Sequence, residues 1–181
     1  GETYRPGASL RMWRDYFPDA TIYGCDIDKS VLFEEERIKT FWVDQSSDEI
    51  LKEHVPDIQY DVIVDDGSHD PNHMVTSFKA LWSRVAPGGV YIIEDIHETY
   101  LDRIQKLGPV EYIHRGTGVI GSDNFVMFRK PEQKILWVTA FRDIKRDTWP
   151  LAVRTIDEYF TYFEHVVNGM KGKDFICFTD E

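Results

Sequence analysis

The chain has 181 residues, 42% hydrophobic and 14% aromatic, enough for one domain with a real core, which excludes a disordered segment. Its formal net charge of −11 excludes a general binder of nucleic acid or anionic membrane, since both require a basic face. Only Cys25 and Cys177 are present, without metal-type spacing, and no apolar run of about 18 residues or signal-like leader is seen, so the expectation is a cytoplasmic protein with no membrane partner.

Taken in order, Gly1 to Ala8 is a polar loop containing Gly and Pro. Ser9 is expected to cap the helix that follows, where Leu10, Trp13 and Phe17 mark a buried face. A glycine-containing loop entering a helix can hold an anionic or polar ligand group on free amides. Pro18-Asp19 stops the helix, and Ala20 to Cys25 forms a strand ending at Asp26. An acid there either accepts hydrogen bonds from ribose hydroxyls, as at the second strand of a Rossmann-like unit, or only shapes the turn. Asp28 reads as a cap or surface charge, and Glu34-Glu35-Glu36 as a solvated turn. Ile38 to Val43 is the next strand, ending in Asp44-Gln45-Ser46. There the acid and amide could read the edge of a base, or Ser46 and Ser47 could start a helix through His54.

Val62-Ile63-Val64 and Val90-Tyr91-Ile92-Ile93 are continuous apolar runs, as in strands buried on both faces of a parallel sheet. Between them Asp70 caps a helix and Pro71 fits its first position. Met74, Phe78, Leu81, Trp82 and Val85 give that helix one buried face, and Pro87-Gly88-Gly89 is expected to end it. The unit is strand, crossover helix, parallel strand. Its acidic pairs, Asp65-Asp66 and Glu94-Asp95, fall just past the carboxyl ends of the strands, where open α/β sheets bind ligands. Neighbouring strand ends lie ~5 Å apart, so these carboxylates can converge on one cation. An all-oxygen set favours a hard ion such as Mg²⁺, Mn²⁺ or Ca²⁺ over Zn²⁺. His69 shares the rim and could accept a proton, because an imidazole ordinarily titrates near ~6.5. His73 and His97 read as surface or supporting groups.

Further on, Glu98 to Leu107 suggests a helix broken by Gly108-Pro109, and His114 to Gly121 is a long loop placed where a lid could be. Asn124 to Arg129 and Lys134 to Phe141 suggest a hairpin, Tyr159 to Val167 an aromatic-faced helix, and Phe175 to Phe178 a last strand. The fold expected is a single α/β domain: a Rossmann-like, doubly wound, mostly parallel sheet with helices on both faces and antiparallel C-terminal strands.

Four blocks carry a family resemblance: PGASLRMWRDYFPDATIYGCDID, WVDQSS, DVIVDDGSH and PGGVYIIED. In this order they resemble the class I S-adenosylmethionine-dependent methyltransferases, and among them the metal-dependent sugar O-methyltransferases that modify macrolide sugars and rhamnosyl groups. The resemblance covers Gly1 to about Tyr100. It implies that Asp26 binds the ribose of S-adenosylmethionine, that Asp44 and Gln45 lie around its adenine, and that Gly7 and Ser9 border its methionine end, with Asp65 also among the cofactor-binding residues. It further implies that Asp66, Glu94 and Asp95 hold Mg²⁺ or Mn²⁺, that His69 is the general base, and that the partner is a sugar or glycan acceptor. That family has a hydrophobic first strand between the strands ending at Asp26 and Asp65. Gly1 stands after its place, so the expectation is an open slot there and a longer polypeptide with further sequence upstream. Two other readings share the nucleoside-binding acids: a catalytically silent binding domain, and a nicotinamide-dependent oxidoreductase, for which the full Gly-x-Gly-x-x-Gly signature is absent.

Overall fold

The two continuous apolar runs become the adjacent parallel strands β4 (Tyr60–Asp65) and β5 (Val85–Ile96) of a computed structural model that describes residues 5–116 and 124–132, together with the backbone of residues 175–178. Before them come α1 (Ala8–Tyr16), β1 (Ile22–Asp26), the short β2 (Glu34–Glu35), β3 (Ile38–Trp42) and α2 (Asp48–His54). The crossover helix is α3 (Pro71–Leu81), and α4 (Glu98–Ile104), β6 (Val110–His114), β7 (Asn124–Arg129) and β8 (Phe175–Phe178) follow β5. The described strands form one sheet in the order β2-β3-β1-β8-β4-β5-β7-β6. Its central pairs are parallel; β2 and the β7–β6 edge run antiparallel.

Strand alternation assigns each side chain to a layer. Val62, Val64, Val90 and Ile92 meet Leu10, Trp13 and Phe17 of the α1 segment on one face. Ile63, Tyr91 and Ile93 meet α2, α3 and α4 on the other, through Leu51, Met74, Phe78, Leu101 and Ile104. Phe78 anchors this second layer, with ring centroids 5.0 Å from Trp82, 5.0 Å from Tyr91 and 4.8 Å from Phe128. Each such contact contributes about 0.5–1.5 kcal/mol beyond area burial, so Phe78 fixes how α3 lies across β5.

Asp70 caps α3 by accepting from Asn72 N at 2.7 Å, and Ser47 caps α2 by accepting from Ile50 N. Asp28 caps a 3₁₀ turn at Lys29–Val31. The cap expected at Ser9 is instead Gly7, in the left-handed region at φ 83°, where a residue without Cβ meets no penalty. Pro87-Gly88-Gly89 does not end a helix either. α3 gives way to a 3₁₀ turn at Trp82–Arg84, and β5 already begins at Val85 and carries these residues as a bulge between the pairs Tyr60↔Val85 and Val62↔Val90. Glycine is required there because a Cβ on Gly89 would stand 2.8 Å from Asp61 O and 2.9 Å from Ala86 O.

The Glu34-Glu35-Glu36 run is a solvated turn only in part: Glu34 and Glu36 are exposed and Glu36 lies in the turn, whereas Glu35 is half-buried. Glu34 and Glu35 pair with β3, and Glu35 receives Arg5 at 2.6 Å, Arg11 at 2.8 Å and Arg14 at 3.2 Å. β7 pairs with β6 and β5, so its antiparallel partner in the chain precedes it. The expected strand 134–141, the aromatic helix near 159–167 and residues 117–121 of the candidate lid lie outside the described residues. The slot between β1 and β4, which the sequence leaves open, holds β8, parallel to both: Phe175–Phe178 pairs with Ile22–Cys25 on one side and Val62–Asp65 on the other. No helix among the described residues is long and apolar enough to cross a membrane.

Candidate active site

Chain order turns at the centre of the sheet. From β1 the next long strand, β3, lies to one side, and from β4 the next, β5, lies to the other, with β8 between. In open α/β sheets such a reversal leaves a crevice outside the carboxyl ends of the strands. Asp26, Asp44, Asp66 and Asp95 all stand at these ends, so the topology gathers what the sequence distributes over seventy positions.

On the β4–β5 side, Asp66, His69 and Asp95 each offer one ligand atom, and these three atoms lie within 4.8 Å of one another. Two local devices aim them. Ile93 and Ile96 pair with Val126 and Asn124, so β5 carries one extra residue there. In this bulge Asp95 adopts φ 48°, and its carboxylate turns to the rim rather than alternating into a layer. Asn124 pins the far side of the bulge by donating Nδ2 to Ile96 O at 2.7 Å. His69 likewise has φ 54°, immediately before the Asp70 cap of α3. A left-handed non-glycine residue costs of order 1 kcal/mol or more and persists only where its surroundings over-determine it. Two such residues meet in one three-residue cluster.

The donor set decides which ion fits. Two carboxylate oxygens within 4.8 Å of each other repel by about 1–3 kcal/mol at the effective dielectric of a protein rim, a repulsion that a cation relieves. Two oxygens and one imidazole nitrogen suit a divalent ion; a hard one takes the oxygens and leaves the imidazole to water or substrate. Glu94, expected in the same set, is half-buried one residue earlier on β5 and does not join the three atoms.

The loop between Asp66 and His69 is held from below by a buried polar cluster. Asp65 is 1% exposed; its Oδ1 accepts from Gln45 Nε2 at 2.5 Å, and its Oδ2 accepts from Ser77 Oγ and from Tyr91 OH at 3.3 Å. Burial pushes this carboxyl above its ordinary range, against the hydrogen bonds from Ser77, Gln45, Tyr91 and the Gly67 amide. Alternation directs the Asp65 side chain into the α3 layer, where both its oxygens have donors, rather than toward the crevice. Gln45 is committed in the same way, with Nε2 on Asp65 and Ser77 and Oε1 accepting from Ser68 N at 3.0 Å. Both ends of its side-chain amide are thus engaged within the protein. Ser77 and Tyr91 were not legible as parts of a site, although Ser77 falls three residues after Met74, a polar residue on an apolar helix face, and that is a readable signal.

On the β1 side, Gly7, Leu10, Gly24, Cys25, Leu32 and Phe33 help line a pocket that reaches Asp26. Apolar walls with one carboxylate suit the sugar end of a nucleoside. Asp26 Oδ1 also accepts from Asp28 N at 2.7 Å, so the turn and rim readings of this residue hold together. Ser9 Oγ is buried without a hydrogen-bond partner among the described residues, an orphaned group that a polar ligand atom would satisfy. Asp44 stands half-buried at the end of β3; hydrogen bonds from Ser46 and the nearby His73 hold its carboxyl below the usual range. Asp26 and Asp66 belong to strands separated by β8, hence about 10 Å apart, room for one ligand to lie across the crevice.

The comparisons with known proteins agree with this geometry. Residues 6–96 match the family model Methyltransf_24, a methyltransferase domain. The mycinamicin VI 2''-O-methyltransferase of Micromonospora griseorubida is 44% identical over 98 residues, 52% of this chain and 24% of that protein. The 8-demethyl-8-alpha-L-rhamnosyl tetracenomycin-C 2'-O-methyltransferase of Streptomyces olivaceus is 40% identical over 100 residues, 55% of this chain and 26% of that protein. Among solved structures, the MycE methyltransferase of the mycinamycin biosynthetic pathway, in complex with Mg and SAH, aligns with a TM-score of 0.52 at 30% identity over 77% of this chain and 44% of that one. The chain thus spans about a quarter of the length of the curated relatives it matches. With the matched segment running from the glycine loop through the end of β5, across the elements that carry Asp26, Asp44, Asp66, His69 and Asp95, this chain belongs to the methyltransferase domain family.

Proposed function

We propose that this chain is the cofactor- and metal-binding part of an S-adenosylmethionine-dependent O-methyltransferase that acts on a sugar hydroxyl with a divalent ion, Mg²⁺ or Mn²⁺. The observation that carries it is the convergence of Asp66, His69 and Asp95 at the carboxyl ends of two adjacent strands, two of the three in strained backbone. Relatives named as macrolide and tetracenomycin sugar O-methyltransferases, and a solved neighbour holding Mg and SAH, support the same reading.

A bound divalent ion would supply charge stabilisation for an alcohol that loses its proton at neutral pH. Asp66 and Asp95 would hold that ion, with Glu94 beside them. His69, placed within the same 4.8 Å cluster, would take the proton of the acceptor hydroxyl. Asp26 would receive the ribose hydroxyls. Gly7 and Ser9, at the start of α1, would border the methionine end, Asp44 would face the adenine, and the crevice over β8 would set the methyl group in line between the two halves.

The test offers the full chain S-adenosylmethionine, Mg²⁺ and a panel of rhamnose-like glycosides, and reads a mass gain of one methyl group. His69→Ala should lower kcat by about 10²–10⁴-fold while leaving the dissociation constant of S-adenosylhomocysteine unchanged. A His69→Ala variant with normal turnover would remove the base assignment. Cofactor binding with no transfer to any glycoside would favour a silent nucleoside-binding domain instead.

A further inference from the structure

Between the cofactor side and the metal side of the crevice lies a buried group that neither half of the chemistry uses. We propose that Asp65 is a positioning residue for the metal loop: directly at Gly67 and through Gln45 at Ser68 it fixes the backbone, and thereby where Asp66 and His69 point. The inference rests on the methyltransferase reading and assigns within it a role to a carboxylate that meets no substrate.

Asp65 on β4 is joined to Gln45 after β3, to Ser77 on α3 and to Tyr91 on β5, so three separate elements close on one side chain. Two links carry that anchor upward: the Gly67 amide donates to Asp65 directly, and Gln45 relays it one residue further, to Ser68. The Gln45 Nε2 is oriented by Asp65 and Ser77, and this fixes its Oε1 as the acceptor for Ser68 N at 3.0 Å. An amide whose two ends are both committed cannot rotate without breaking a buried hydrogen bond. The loop has grown to fit it: a Cβ on Gly67 would stand 2.6 Å from Gln45 Oε1, so only glycine lets the backbone come this close. A second tie reaches the same residue from α3, where Ser68 Oγ lies 2.8 Å from His73 Nδ1. Held on both sides at Ser68, the chain has no freedom to relax His69 out of φ 54°. Ion binding then finds its ligands already in place, and the ordering cost falls on folding rather than on binding.

The experiment perturbs the relay twice without touching a ligand. Asp65→Asn replaces one acceptor oxygen with a donor that faces either Gln45 Nε2 or Ser77 Oγ; Gly67→Ala pushes the Gln45 amide aside from above. In full-length chains shown folded by far-UV circular dichroism, Mn²⁺ is titrated by electron paramagnetic resonance and S-adenosylhomocysteine by calorimetry. Each variant should weaken Mn²⁺ binding about 10-fold or more, with cofactor affinity held within roughly 3-fold and kcat reduced at unchanged cofactor KM. If Asp65→Asn does not fold, Gly67→Ala decides alone. Wild-type Mn²⁺ affinity in a folded variant overturns the proposal, as does an equal loss of metal and cofactor affinity, which marks general loosening. A wild-type chain that binds neither probe would instead sink the methyltransferase reading beneath it.

Discussion

At the amino ends of the strands, three cations each close a helix terminus. Arg37 Nη1 donates to Arg14 O, Phe17 O and Ala20 O at 3.0–3.2 Å, just past α1. Arg84, 8% exposed, donates to Val55 O and Lys52 O at the end of α2, and Lys130 Nζ donates to Val85 O, Ser83 O and Trp82 O past α3. Helix C-termini leave carbonyls without partners and carry partial negative charge, so a cation there satisfies both. At the carboxyl ends of the same strands the arrangement is reversed. Carboxylates gather on one another, and two residues of the cluster sit in left-handed backbone. The contrast teaches that charge near a strand end is not one signal: cations facing helix carbonyls meet complementary charge in the fold's own backbone, whereas acids facing acids carry a mutual repulsion that an added cation would relieve.

The sharpest way to break this comparison is Asp95→Gly. Removing the carboxylate should weaken Mn²⁺ binding and metal-dependent turnover by at least about 100-fold. Because glycine accepts φ 48° freely and one like charge is lost, the variant should also be as stable as the parent or up to ~1 kcal/mol more stable, read by urea unfolding. A variant that loses both stability and metal would place Asp95 in the fold rather than in the site.

Next in size is Arg84→Ala at the opposite end. It leaves the carbonyls of Lys52 and Val55 without their donor, so unfolding free energy should fall by about 2–4 kcal/mol and the Tm by roughly 5–10 °C. Metal and cofactor affinities of the folded variant should stay within 2-fold, checked by calorimetry.

The smallest effect tests an acid that arginines surround. Arg11 above all, with Arg5, holds the Glu35 carboxyl at about 2 against an ordinary 4.5. A carboxyl depressed in the folded state contributes stability above its ordinary value and loses it as pH falls toward the folded one. Tm measured from pH 5 to pH 2 should therefore fall less steeply in Glu35→Gln than in the parent. Identical acid limbs would mean that the arginines contribute nothing through this residue.

Much of this was legible in the sequence because it rests on local rules. The apolar runs of β4 and β5, the Asp70-Pro71 helix start and the stripe through Met74, Phe78 and Leu81 follow from periodicity and capping, and each is buried or placed as expected. The convergence of Asp66, His69 and Asp95 followed from strand ends meeting at one edge. What escaped depended on partners far along the chain. Pro87-Gly88-Gly89 looks like a terminator until β7 is seen to pair across it, with Gly88 N on Lys130 O and Lys130 N on Gly89 O. Glu35 looks solvated until Arg5, Arg11 and Arg14 close around it. The occupant of the central slot, Phe175–Phe178, lies over a hundred positions from either neighbour, and no local pattern announces which strand will fill a gap. Gln45 was read outward, toward a base, because sequence does not tell which way an amide turns.

The alternation that separates Asp65 from Asp66 has a practical consequence for anyone redesigning β4. These twin letters are not interchangeable copies: one is sealed among neutral donors beneath α3 and the other reaches the crevice. Sliding the strand by a single position against β5, toward its amino end, would carry Asp66 into the sealed site beneath α3 and Asp65 onto the opposite buried face, where Val64 now packs against the α1 layer. The register of six residues thus serves as the address label of the chemistry, and insertions should be tolerated after the exposed Asp57 far better than anywhere between Tyr60 and Asp66.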